Sequence, residues 1–419
     1  MAVTALEITS CSPWAHGQPF GDVGPYQQLD GTVHFAVDPH HPNNAGITDL
    51  QRAPRDVHGL VRCAADVRLL QPAVPQRGNQ RLLLDIVNRG NPTVLTNLNS
   101  AVSRMDPGNG FLMRQGYTIV WCGWQDDVPA TPERLRIHVP EALDPVGQPI
   151  TGKIAVWLQP ATLLQVHPLA DRQHRPHPAT DLHDPDAVLT VQDHEDAPAH
   201  TISRSQWAFA RLDGDRVVPD ATSVYLATGF QPGKVYQVIY TTTGAPVLGL
   251  GLLALRDIVA FLRYGTAEEG NPCAGQLQYA YGFGRSQSGR CLRHVLYLGL
   301  NHDERQRPVF DGLIPLVAGG WRGECNQRFG QPSNYNKYSV RNLFPFHDTV
   351  QTDPDTGRTD GLLARLAARG TVPKIFFMHT ASESIVSGTI LAWGHESPIY
   401  DRLVRDAYRR LPLLQERRT

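Results

Sequence analysis

Apolar positions from Tyr26 to Val37 and from Gly59 to Leu70 come in short stretches broken by turn-forming residues. That is the pattern of strands joined by loops, so residues 1–78 read as a β-rich lead-in. A different rhythm follows. Arg81-Leu-Leu-Leu-Asp-Ile-Val87 is an apolar run of strand length that stops at Asn88-Arg-Gly-Asn-Pro92, and a second run, Tyr117 to Trp124, ends at Gln125-Asp-Asp127. Two such runs about thirty residues apart match a strand, helix, strand unit with its strands parallel.

Between about residues 130 and 235 the composition shifts. His, Asp and Pro crowd positions 167–200, with short β-like pieces such as Ile154 to Leu158 and Val217 to Tyr225 around them, and we read the region as an insertion or cap with loops. The core rhythm resumes at Val235-Tyr-Gln-Val-Ile-Tyr240. From Val247 to Tyr264 the residues Leu248, Leu252, Leu255, Val259 and Leu262 recur at helical spacing. Leu277 to Phe283 reads as a strand and Arg290 to Leu300 as a helix, which leaves a sharp turn at 284–289; further strands are expected at Gly312 to Ala318 and Pro373 to His379. The alternation after residue 80 predicts an α/β protein: one domain over 1–419, with a mostly parallel central sheet and helices on both faces.

Composition narrows the function classes. Lys plus Arg is 39 against 40 for Asp plus Glu, so no strong field favours nucleic acid or an anionic membrane. From Met1 to Trp14 there is no basic segment leading into an apolar one, and no apolar run reaches the roughly 18 residues that cross a bilayer, so the expected address is the cytoplasm. The six cysteines are scattered with no C-x-x-C pair, and we expect buried thiols rather than a redox or zinc motif. Asp193-His-Glu-Asp196, with His174, His177, His183 and His200 nearby, lacks any helical or strand register for metal ligands and reads as a solvated loop. The aromatic residues Trp121, Trp124 and Trp321 read as core.

The turn at 284–289 carries the chemistry. Gly284-Arg285-Ser286-Gln287-Ser288-Gly289 is a nucleophile-elbow pattern in which serine replaces the final glycine. Small neighbours are needed because bulky groups two residues either side of the nucleophile would clash where strand and helix meet. Such a turn lifts the Ser286 hydroxyl above the carboxyl edge of the sheet and aims the first helical N–H groups, that of Gln287 among them, at a developing oxyanion. The competing readings are a helix N-cap serine at 286 and a reactive hydroxyl at Ser288.

These residues resemble the alpha/beta hydrolase domain family whose members carry a Gly-Arg-Ser-Gln-Ser-Gly-Arg elbow. The likeness extends to Phe20-Gly21 with Gly24-Pro25-Tyr26, Asn88-Arg-Gly90, Gly123-Trp-Gln125 and Gly249-Leu-Gly251 with Arg256-Asp257. It continues through Asn301-His-Asp-Glu304, Val309-Phe-Asp-Gly312, Ala318-Gly-Gly320, Arg328-Phe329 and Phe344-Pro-Phe346. The resemblance implies the α/β-hydrolase fold, an acid at Glu383 just past the strand ending near His379, and a second oxyanion donor from the loop holding Arg89 and Gly90.

The pattern breaks beyond Glu383, where family members resemble one another in having a strand and then a histidine. Here the one histidine is His395, and Asp401 to Arg410 reads as a basic helix. His395 is the candidate base; His347, His302 or His379 recruited from elsewhere, or no base at all, are the alternatives. The function expected is a serine hydrolase that cleaves a small-molecule ester through an acyl-enzyme on Ser286, with no cofactor, metal, nucleic-acid or membrane partner. The alternative is a catalytically impaired relative that binds a small apolar ligand in the same pocket.

Overall fold

The computed structural model describes residues 2–170, 174–194, 197–319, 323–333, 345, 348–353 and 356–378. A nine-stranded sheet organises them, its strands in the order Val3–Pro13, Tyr26–Val37, Val61–Pro72, Thr118–Cys122, Arg81–Asp85, Tyr279–Arg285, Gly312–Leu316, Lys374–Ile375, with the short Ile137–His138 beside Val61–Pro72. The sheet is mixed, which corrects the expectation of a mostly parallel one. From Thr118–Cys122 through Lys374–Ile375 the neighbours pair parallel, whereas the N-terminal strands and their junction with Thr118–Cys122 pair antiparallel. The cause is connectivity. The first three strands follow one another directly as a meander, while each parallel pair is joined by a crossover.

Local sequence explains the parallel half. Arg81–Asp85 and Thr118–Cys122 are buried almost throughout, as strands covered on both faces must be. Leu250–Tyr264 is buried from Leu250 to Leu262, including the ion pair Arg256–Asp257, and packs in the same apolar cluster as the sheet. Only this helix and Gln287–Tyr297 exceed five residues among the described residues, so the layer of helices on each face that the strand pattern predicted is sparse.

Residues 151–243 build two smaller antiparallel sheets. One orders His200–Ile202, Val188–Gln192, Val235–Thr243, Thr151–Leu158; the other orders Trp207–Asp213, Arg216–Phe230, Leu164–Pro168. They enclose an apolar cluster of their own, in which Phe209 packs edge-on against Trp207 and Tyr240. Val235–Thr243, expected to lead the core onward, pairs here rather than in the large sheet. No helix among the described residues is long and apolar enough to cross a membrane.

Candidate functional site

The strand Tyr279–Arg285 ends where the helix Gln287–Tyr297 begins, so the turn is Ser286 alone, tighter than the six-residue loop the sequence suggests. Ser286 takes φ +55° and ψ −115°, a left-handed conformation that costs a residue with a side chain about 1–3 kcal/mol. Its surroundings hold it there. The Ser286 N–H donates to Leu316 O on the neighbouring strand at 2.8 Å, and its carbonyl accepts from Arg290 N–H at 2.9 Å. Gly284 is required for contact: a Cβ there would stand 2.4 Å from the Ser288 carbonyl oxygen.

The two hydroxyls of the turn divide their roles. Ser288 Oγ accepts from the Arg285 N–H and donates to the Arg285 carbonyl, both at 3.0 Å, so it stitches the turn closed. Ser286 makes no side-chain capping bond and is half-buried beside the exposed Arg285. Ser286 thus occupies the N-cap position without the capping bond, and the Ser288 hydroxyl is engaged with backbone.

The early loop lies against this turn. Asn88 Nδ2 donates to the Arg285 carbonyl at 2.9 Å, and Asn88 and Asn91 exchange backbone bonds around a turn with Arg89 at φ +50° and Gly90 at φ +79°. A Cβ on Gly90 would meet Arg134 and Val128 side chains at 2.9 Å. The Arg89 N–H, expected as an oxyanion donor, instead donates to Gln125 Oε1 at 3.0 Å. It is already committed, which leaves Gly90 as the candidate donor from this loop. The strand end behind the loop holds Asp85, fully buried, whose carboxylate accepts from Thr93 N–H, Thr93 Oγ1, Val94 N–H and Trp121 Nε1. Burial pushes its pKa up to about 6, outweighing those four hydrogen bonds.

A buried polar network missed from the sequence flanks the same turn. Gln125 Nε2 donates to Asp127 Oδ1 at 3.2 Å and to Ser333 Oγ at 3.0 Å, and the Ser333 N–H donates to Asp127 Oδ2 at 3.1 Å. His174 Nδ1 lies 3.1 Å from the Asp127 carbonyl and 2.8 Å from Ser333 Oγ; a carbonyl only accepts, so Nδ1 carries the proton. Arg89 Nη2 donates to the Ser333 carbonyl at 3.0 Å and Gln287 Nε2 to the Pro332 carbonyl at 2.7 Å. Burial raises the Asp127 pKa and lowers that of His174, each opposed by the partner's charge. His174 and His177 are therefore buried and bonded, which corrects the solvated-loop reading for these two, while His183, Asp193 and His200 are exposed as that reading expected. The signal available beforehand was the polar triplet Gln125-Asp-Asp127 directly after an apolar strand.

Of the other candidates, Glu383, His395, His379, His347 and Trp321 lie outside the described residues. His302 lies past the far end of the helix Gln287–Tyr297, buried, with its Nδ1 3.4 Å from Thr371 Oγ1. Trp121 and Trp124 are core residues whose indole N–H groups bond Asp85 and the Val87 carbonyl. Five of the six cysteines are buried, while Cys11 is exposed. Residues 190–388 match the family model described as an alpha/beta hydrolase domain, a span that takes in the Ser286 turn and Glu383 and stops short of His395. No curated protein matches the chain.

Proposed function

We propose that this chain, whose residues 190–388 belong to the alpha/beta hydrolase domain family, is a serine hydrolase that cleaves carboxylic esters through an acyl-enzyme on Ser286. The family points to a hydrolase. One observation carries the finer reading: Ser286 is held at φ +55° between strand and helix with no side-chain capping bond, while Ser288 does the structural bonding. A strained residue whose side chain plays no part in holding the strain in place is what a presented nucleophile requires.

In the proposed reaction Ser286 Oγ attacks the ester carbonyl carbon and passes its proton to His395, which Glu383 orients. The N–H groups of Gln287 and Gly90 receive the negative charge on the carbonyl oxygen. Collapse breaks the C–O bond, the leaving alcohol takes the proton from the imidazolium, and a water then attacks the acyl-enzyme by the same route. The acid and base come from the sequence and the family resemblance. The reaction needs no cofactor, and its partner is a small ester met in the cytoplasm.

Hydrolysis of short-chain p-nitrophenyl esters tests this. Ser286→Ala and His395→Ala are each expected to lower kcat by about a thousandfold or more, as loss of a triad member does. A folded native chain with no turnover would contradict the proposal and favour a protein that binds without cleaving. Turnover that survives His395→Ala would move the base elsewhere.

A further inference from the structure

Gln125 is 1% exposed and stands in the loop after Thr118–Cys122, where the backbone has almost no freedom. The Gly123 N–H donates to the Asp66 carbonyl at 2.8 Å, and a Cβ on Gly123 would fall 2.2 Å from the Arg136 carbonyl oxygen. The Gln125 carbonyl in turn accepts from Ile137 N–H at 3.2 Å. A side chain rooted so firmly transmits its position to whatever it holds.

What it holds is the loop beside the nucleophile. Its amide orientation follows from its partners: the Arg89 N–H can only donate, so it faces Oε1, and the Asp127 carboxylate accepts, so it faces Nε2. Arg89 and Gly90 are both left-handed, and the carbonyls of the turn are braced by Asn91 Nδ2 on Asn88 and Arg89 and by the Leu135 N–H on Gly90. Gln125 holds its amide side, at the Arg89 N–H. Its other end is fixed by Asp127 and by Ser333, which also meets His174 and the Arg89 side chain.

We infer that Gln125 is a positioning residue of the esterase site: by capturing the Arg89 amide it fixes the turn that aims the Gly90 N–H at the oxyanion. The inference rests on the hydrolase reading for its catalytic consequence and on the hydrogen bonds alone for its structural one. Gln125 touches neither substrate nor nucleophile; it acts through Arg89.

Two variants separate its functions. Gln125→Leu removes the acceptor, whereas Gln125→Glu keeps an oxygen for the Arg89 N–H and reaches Asp127 through a shared proton. Measured near pH 6 on p-nitrophenyl acetate, the leucine variant is expected to lose about ten- to hundredfold in kcat with KM within about twofold, because misplacing an oxyanion donor weakens the transition state and not substrate binding. The glutamate variant is expected to recover most of kcat. Amide hydrogen exchange gives a readout without turnover: exchange at Arg89 should speed by about tenfold or more in the leucine variant and stay near native in the glutamate one. Should Gln125→Leu fail to fold, Gln125→Asn, one methylene too short to reach, takes its place with the same expectations. A folded variant with native kcat, a loss confined to KM, unchanged Arg89 exchange, or a glutamate variant no better than leucine would each overturn the inference. If the native chain cleaves no ester, the hydrolase reading fails by itself and the catalytic role falls with it, while the exchange measurement still decides whether Gln125 holds the loop.

Discussion

At Gly284 and Ser288 the elbow is built from close backbone packing and a pair of local hydrogen bonds. Replacing Gly284 by alanine puts a methyl group 2.4 Å from the Ser288 carbonyl oxygen and 2.6 Å from its carbon, both backbone atoms that cannot swing aside. Ser288→Ala is milder: it removes the hydroxyl's two bonds to Arg285 and leaves the fold of the turn sterically possible. We expect Ser288→Ala to cost about 1–2 kcal/mol and Gly284→Ala about 3 kcal/mol or more in urea unfolding, with the order of the two as the test. Equal or reversed losses would mean the turn is not held this way. The small residue at 288 was legible in the sequence as a steric requirement. Its hydroxyl's bonding was not, because a local hydrogen bond of this kind depends on the φ of the residue two before it.

Among the elements, the strand Arg81–Asp85 and the turn after it depend on one buried carboxylate. Asp85 gathers donors from Thr93, Val94 and Trp121 and so fixes where the chain goes after the loop at Asn88–Asn91. Its pKa near 6 lies above the ordinary aspartate value of 3.8, so between about pH 4 and pH 6 the folded protein binds more protons than the unfolded chain and stability falls as pH rises. Compared with Asp85→Asn, in which the other titrating groups cancel, the native protein should lose on the order of 3 kcal/mol of relative stability across that window. A difference that stays flat or grows with pH would contradict burial as the dominant cause. An aspartate inside an apolar run was visible in Arg81 to Val87, but its donors lie 8 to 36 residues away and no local pattern joins them.

In the whole molecule, the parallel half of the large sheet and its strand-to-helix turn follow from periodicity, since each strand is short, apolar and followed by a crossover. The antiparallel half does not, because strand direction depends on which strands become neighbours, and alternation of apolar residues is the same for both. The polar network illustrates the same limit for the site. Gln125, His174 and Ser333 come from segments far apart in the chain, so neither composition nor spacing brings them to the Ser286 turn. What was readable was the serine itself, because strand, turn and helix there are contiguous in sequence.

The central claim is that Ser286 is an activated nucleophile, and covalent labelling tests it most directly. The folded native chain should react with a fluorophosphonate probe, and peptide mapping by mass spectrometry should place a single adduct on Ser286 that disappears in Ser286→Ala and persists in Ser288→Ala. Absence of labelling on the folded native chain, or an adduct on Ser288, would contradict it.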